Sequence, residues 1–426
     1  MEVGLAFAGV LALAACGEAG PVAPPPGAVT TATAVASGTA TPSPDLGAVV
    51  IQPGQDVRIG VSTSLSGATA VLGEDIRDAV VLAIEDFGGS LKGFPVTVTA
   101  ADDGCTNAAK AVAAANRLIA DPLVVAVVGP MCSNGAQAAN PIFERAGLLH
   151  VSASASMPSL TEEGSRFFFR TAWRDDRQGA ALAAYALETL GAHKAVAIDD
   201  GGRYGEGVAA EFAGLFQARG GVLAAREKVA PGQTDFSGLV GRILEAAPEA
   251  VLFAGFGAEA APFVQQLRAA GYLGAFLGPD SLFDAQLFLA AALPAAEGAV
   301  VLSAPPLPEA MAAAFRQRFG REPRSPFMSH AYDATTVLLN VVESVAVEEG
   351  GKLVVDRAAL IKGLRSQALM GLTGRIRFDE AGDRSGLRAE QMGLSFYVVK
   401  DGRLVLTGGP GATPTPTPSA VATPTP

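Results

Sequence analysis

From residue 57 onward the chain alternates short, predominantly apolar runs with stretches whose apolar positions recur at helical spacing. The runs lie at 57–62, 95–100, 124–128, 148–152, 195–198, 250–254 and 299–302, each about five residues long and bounded by Gly, Pro or Asp. Continuous rather than alternating apolarity marks strands covered on both faces, hence a parallel sheet. The intervening stretches, such as 74–87 and the Ala-rich 107–119, read as helices. About eight such units exceed one doubly wound sheet. The expected class is therefore α/β, with two doubly wound parallel-sheet lobes joined by a hinge.

In open parallel sheets a ligand sits beyond the carboxyl ends of the strands. The loops there are 63–73, 129–135, 153–158, 199–207, 255–259 and 278–282; all are rich in Gly and small polar residues, and Arg203 is their one cation. The loop Gly129-Pro130-Met131-Cys132-Ser133-Asn134-Gly135 follows a strand and opens a helix, so its free N–H groups can receive a carboxylate. The next strand ends in Ser152-Ala153-Ser154-Ala155-Ser156, placing more hydroxyls on the same edge. Each serine alone reads as a cap or turn residue; two hydroxyl-rich strand ends side by side make an anion-sized recess. Without arginine that recess suits a carboxylate better than a phosphate. Asp280, after Gly278-Pro279, is either a helix cap or the counter-charge to a ligand ammonium. Tyr204 and Phe256 are flanked by glycines, which favours loop tips over core positions.

Composition narrows the function further. At 426 residues the chain suits two lobes of roughly 150 residues each. With 31 Lys+Arg against 42 Asp+Glu the net charge is −11, which disfavours nucleic acid as a partner. Three histidines (His150, His193, His330) without an HExxH pattern give no metal site, and they read as structural. No GxSxG, P-loop or GxGxxG follows a strand, so neither catalysis nor a cofactor is expected. The apolar stretch 3–15 is too short to span a bilayer and ends in Leu13-Ala14-Ala15-Cys16, which resembles a bacterial lipobox with Cys16 as the lipidated residue. Glu2 is the only charged residue before Cys16, so the basic flank usual in such leaders is missing. The Pro-, Ala- and Thr-rich segment 17–53 and the Thr-Pro segment 408–426 are expected to be disordered. In an extracytoplasmic setting Cys105 and Cys132 pair most simply as a disulfide, two buried thiols being the alternative.

These blocks together resemble the leucine/isoleucine/valine-binding family of periplasmic binding proteins. The resemblance rests on the 57–67 start, the two cysteines, Cys132-Ser133 opening a helix, the 152–158 turn and Tyr204-Gly205-Glu206-Gly207. It continues through Asp235-Phe236-Ser237, Phe253 to Phe256, Gly278-Pro279-Asp280, Phe378-Asp379 and Gly382-Asp383. It implies a type I periplasmic binding fold, with lobe 1 from 54–174 plus 302–376 and lobe 2 from 175–301 plus 377–407. It also implies that Ser133 bonds a ligand carboxylate, that the Ser154 backbone and Ser156 contact carboxylate and ammonium, and that Asp280 takes the ammonium. Tyr204 would clamp from the second lobe, and Leu72, Phe256 and Phe327 would line the side-chain pocket. Three positions depart from the family: Asp280 replaces a glutamate, Phe256 a tyrosine and Leu72 a bulky aromatic. The expected protein is a monomeric, lipid-anchored, extracytoplasmic solute-binding protein. It would deliver a small amino acid, branched-chain or similar, to an ABC permease. A sensor ectodomain, or transport of an amide, urea or aromatic acid, are the alternatives.

Overall fold

The computed structural model describes residues 46–163, 165–385 and 394–408. The leader, Cys16, most of the 17–53 segment and residues 409–426 lie outside the described residues.

Strands β1 (Ala48–Ile51), β2 (Val57–Thr63), β3 (Ser90–Leu91), β4 (Phe94–Asp102), β5 (Val124–Val128), β6 (His150–Ser152) and β7 (Phe168–Arg170) come first. Between them lie α1 (Ala70–Asp86), α2 (Ala108–Ile119), α3 (Ser133–Arg145) and the short α4 (Ser159–Glu162). The first-lobe sheet runs in the order β3-β4-β2-β5-β6-β7, parallel except for the β3–β4 pair. Both its faces are covered, as the unbroken apolar runs require. On one side Val57, Ile59 and Val61 pack with Val80 and Ile84 of α1. On the other, Val124 and Val127 pack with Leu118 of α2 and Phe143 of α3.

The second lobe holds α5 (Asp175–Ala184), β8 (Lys194–Asp199), α6 (Arg203–Ala218), β9 (Val222–Lys228), α7 (Ser237–Ala246), β10 (Ala250–Ala254), α8 (Gly257–Ala269), β11 (Ala275–Gly278) and β12 (Val300–Ser303). The chain then returns to the first lobe with α9 (Glu309–Phe319), α10 (Met328–Val345), β13 (Val347–Glu349), β14 (Lys352–Asp356), α11 (Arg357–Ser366), β15 (Leu369–Gly371) and β16 (Gly374–Ile376). Finally β17 (Ser395–Lys400) and β18 (Arg403–Gly408) join the second sheet, whose order is β18-β17-β12-β11-β10-β8-β9.

The structure moves three of the expected boundaries. Residues 48–51 are not part of a tether: β1 pairs antiparallel with β14, and Val49 and Ile51 are buried beneath the pair. The first crossing back falls after Ser303, because all of β12 belongs to the second sheet. Residues 377–385 lie in the first lobe, where the Phe378 ring meets Phe169 at 5.3 Å and the Gly382 carbonyl accepts the Arg170 N–H. Among the described residues no helix is long and apolar enough to cross a membrane.

Cys105 and Cys132 form a disulfide between the end of the β4 loop and the start of α3. The bond closes a loop of 27 residues, which on the chain-entropy model contributes about 3–4 kcal/mol to stability.

Candidate functional site

The first-lobe side of the site is a laced pair of loops. Gly129 turns the chain out of β5 with φ +119°, and a Cβ there would lie 2.1 Å from the Ser62 carbonyl oxygen, so only glycine fits. Beneath the loop the buried Asp103 carboxylate accepts the Met131 N–H at 2.9 Å and the Cys105 N–H at 3.0 Å. Burial pushes the Asp103 carboxyl up to about 6. Ser152 donates its hydroxyl to the Pro130 carbonyl at 2.7 Å and accepts the Ala155 N–H at 2.9 Å. Ser154 donates its hydroxyl to the Met131 carbonyl at 2.6 Å and its N–H to the Ser152 hydroxyl at 3.3 Å. Ser133, the first residue of α3, accepts the N–H groups of Ser156 and Met157, both at 3.2 Å, which leaves its own hydroxyl proton to donate.

The opposite end is built on Asp280. Its carboxylate does not cap the 3-10 turn Asp280–Leu282 that it opens. It accepts the Tyr204 hydroxyl on Oδ1 and the Trp173 Nε1–H at 3.1 Å on Oδ2. Its N–H donates to Gln178 Oε1 at 3.2 Å. Asp280 is 3% exposed, and burial pushes its carboxyl up to about 6 despite those donors. Burial and the neighbouring charge of Asp280 raise the Tyr204 phenol as well, so the phenol keeps its hydrogen at neutral pH and donates it to the Asp280 carboxylate.

Leu72 from α1 and Phe327 ahead of α10 meet in one apolar cluster with Met131, Trp173 and Met328. The Phe327 ring lies 5.5 Å from Trp173, and Trp173 lies 5.0 Å from His330. Phe256 sits on the second lobe with its ring 5.8 Å from Tyr204. It also borders a cavity of about 410 Å³ between the lobes, lined from the first lobe by Ser66, Thr69, Cys105 and Lys110 and from the second by Asp200 and Glu259. The lobes touch beside it, where the Arg203 N–H donates to Asn134 Oδ1 at 2.9 Å. The serine loops and the Asp280 end are linked through Asp175, whose N–H donates to the Ser156 carbonyl at 2.9 Å, and Gln178. Leu72 and Phe327 lie in the adjoining apolar cluster, and Phe256 alone of these residues borders the outer cavity.

Sequence reading missed Trp173, Asp175, Gln178 and Arg170. All four lie at the end of β7, in the turn after it or in the first turn of α5. This too is a strand's carboxyl end, but its sequence, Thr171-Ala172-Trp173-Arg174, lacks the glycines and serines that mark the other loops. The histidines are accounted for differently. His150 is buried between the Leu148 carbonyl at 3.0 Å and Asn140 at 3.1 Å, and burial pushes it down to about 4. His330 is buried against Trp173 and pushed down to about 3. Among the described residues no group of His, Cys, Asp and Glu could hold a metal ion.

Two parallel-sheet lobes with hydroxyl- and carboxylate-bearing strand ends turned into one cleft define a protein that encloses a small ligand. The chain belongs to the periplasmic binding protein family, whose model matches residues 56–402, and within it to the leucine/isoleucine/valine-binding group. It is 30% identical over 339 residues to the leucine-specific-binding protein of Salmonella typhimurium, covering 78% of this chain and 89% of that protein. It is 30% identical over 334 residues to an amino acid binding protein of Pseudomonas aeruginosa, covering 77% and 87%. Its fold matches the crystal structure of the leucine binding protein LivK from Thermotoga maritima with a TM-score of 0.72 at 25% identity, covering 82% of this chain and 97% of that one. Membership in this family of binding proteins places the protein outside the cytoplasm.

Proposed function

We propose that the protein captures a small aliphatic α-amino acid, branched-chain or similar, and delivers it to an ABC permease. The observation that carries this reading is the buried Asp280 carboxylate, held by Tyr204 and Trp173 and without a cationic partner among the described ion pairs. A buried carboxylate of that kind is costly when empty and suited to an ammonium group. The Ser133 and Ser156 hydroxyls would take the ligand carboxylate, with the Ser154 N–H turning to it from its 3.3 Å bond to Ser152. An aliphatic side chain laid against Leu72, Phe327 and Phe256 would contribute about 2–3 kcal/mol. Closure of the two lobes round the ligand would exclude water and present a surface for the permease to read. The relatives named for leucine, isoleucine and valine support the cargo class.

A thermal-shift screen tests the reading. At a hundredfold excess over Kd, leucine, isoleucine or valine stabilises the protein by about 2.7 kcal/mol, whereas 4-methylpentanoate and isopentylamine, each lacking one charged group, do not. Equal shifts from the deaminated acid would overturn the zwitterion site.

The same proposal places the protein as a monomer on the outer face of the membrane through acyl chains on Cys16. Each buried CH₂ contributes about 0.8 kcal/mol, so firm anchoring takes more than one chain. Metabolic labelling with an alkyne fatty acid checks it: label enters the wild-type chain and is absent from Cys16→Ser. Label retained in that variant would place the anchor elsewhere.

A further inference from the structure

The end of the site built on Asp280 holds a second buried carboxylate. Asp175 opens α5 and is 0% exposed. Its Oδ2 has no hydrogen-bond partner, and its Oδ1 has the Gln178 amide at 3.4 Å. Gln178 also accepts the Asp280 N–H, so one side chain reaches both acidic residues. The Asp175 N–H donates to the Ser156 carbonyl at 2.9 Å, which ties the same residue to the hydroxyl end of the cleft. Every neighbouring element contributes a group that faces it. Ser156 comes from the loop after β6, Arg170 from β7, Asp176 from α5 itself, Asp280 from the turn after β11 and Tyr204 from α6. Arg170 is the one cation among them, and its guanidinium is already engaged by Asp383 and by the Met157 carbonyl at 2.7 Å.

Two carboxylates in one dry pocket cannot both ionise cheaply. We propose that Asp175 is a specificity-determining partner of Asp280: in the empty cleft the pair carries one proton, held on Asp175, and a ligand ammonium arriving at Asp280 drives that proton out to solvent. The proton leaves the Asp175 carboxyl for the buffer, and the pair then presents two negative charges to one cation. A neutral or anionic ligand gives no such exchange, so the pair selects for a cationic group. This rests on the amino-acid reading above.

The sign follows from which state holds the proton. Burial, opposed by the Ser156 hydroxyl and the Arg170 charge and reinforced by the Asp280 charge, pushes the Asp175 carboxyl up to about 8 in the empty protein. The ligand's positive charge lowers it. Binding therefore releases a proton, and affinity for the ligand falls as pH drops from 8 to 6, by up to about tenfold per unit.

Titration calorimetry with leucine at pH 7, in phosphate and in Tris, reads the release directly. The expected result is binding enthalpies that differ between the buffers by close to one proton's ionisation heat. Asp175→Asn keeps the shape and removes the proton; it should still bind leucine, with no buffer dependence and a flat profile from pH 6.5 to 8. A structural role alone would weaken binding equally at every pH and leave the release intact, and that outcome overturns the proposal. If no α-amino acid binds the wild-type protein, the functional reading has failed. The proton inventory is then decided by carbon-13 NMR of the ligand-free protein, with Asp175→Asn assigning the signal. A carboxyl titrating near 8 that is lost in the variant supports the pair; one titrating near 4 refutes it.

Discussion

Asp280→Ala weakens binding of every α-amino acid by at least about 30-fold while leaving the protein folded. The truncation leaves a ligand ammonium in a buried site with no counter-charge beside it, and strips Tyr204 and Trp173 of their acceptor. Losing one partner of a buried charged pair costs about 2–5 kcal/mol, a drop of roughly 30- to 5,000-fold in affinity. Stability should move the other way. A carboxyl whose folded-state pKa is raised favours the fold most when it is protonated. That contribution is complete below the unfolded value near 3.9 and is lost as pH rises through about 6, the folded value here. At pH 8 the empty protein therefore carries this charge at a loss. Asp280→Asn keeps an acceptor for Tyr204 and Trp173 without the charge, so it should melt at or above the wild-type temperature at pH 8 and show no leucine-induced shift. Calorimetry and thermal melts on the two variants check this. Wild-type affinity in Asp280→Ala would place the ammonium elsewhere, or point to a cargo without one.

The pattern of apolar runs carried the lobes because a parallel strand must be buried on both faces, and burial is written locally. Residues 124–128 and 250–254 were legible to the residue for that reason. The strand at 48–51 was not. Its apolar residues follow a long Pro- and Thr-rich stretch, and its partner β14 lies some three hundred residues further on. Asp280 could be singled out because a lone acid between glycine, proline and serine stands out at a strand end. Trp173 could not: it looks like core, and its Nε1–H finds Asp280 across 107 positions of sequence. The pairing of 377–385 with the first lobe is also invisible locally, since it depends on where Arg170 points. What sequence misses here is contact made at long range by single side chains.

Arg170 gives the clearest test of such a contact. The side chain is fully buried at the end of β7, with Nε on Asp383, one terminal nitrogen on the Met157 and Ala155 carbonyls at 2.7 and 3.3 Å, and the other on the Thr161 hydroxyl at 2.7 Å. Burial alone would raise the Asp383 carboxyl, yet the Arg170 charge and hydrogen bond hold it below the usual carboxylate range. Arg170 therefore fastens both the 377–385 return and the loop that carries Ser154 and Ser156. Arg170→Met should destabilise the protein by about 3–5 kcal/mol, because it leaves a buried carboxylate and two carbonyls short of partners. In a chain of this size that lowers the melting temperature by roughly 5 °C. Arg174, which reaches Asp383 at 3.1 Å, offsets part of the loss. The double variant Arg170→Met with Asp383→Leu removes both charges and should recover stability over the single variant. It should not recover leucine affinity, since the loop bearing Ser154 and Ser156 has lost its anchor. A single variant melting within a degree or two of wild type would show that the loop is held by its serine hydrogen bonds and not by Arg170.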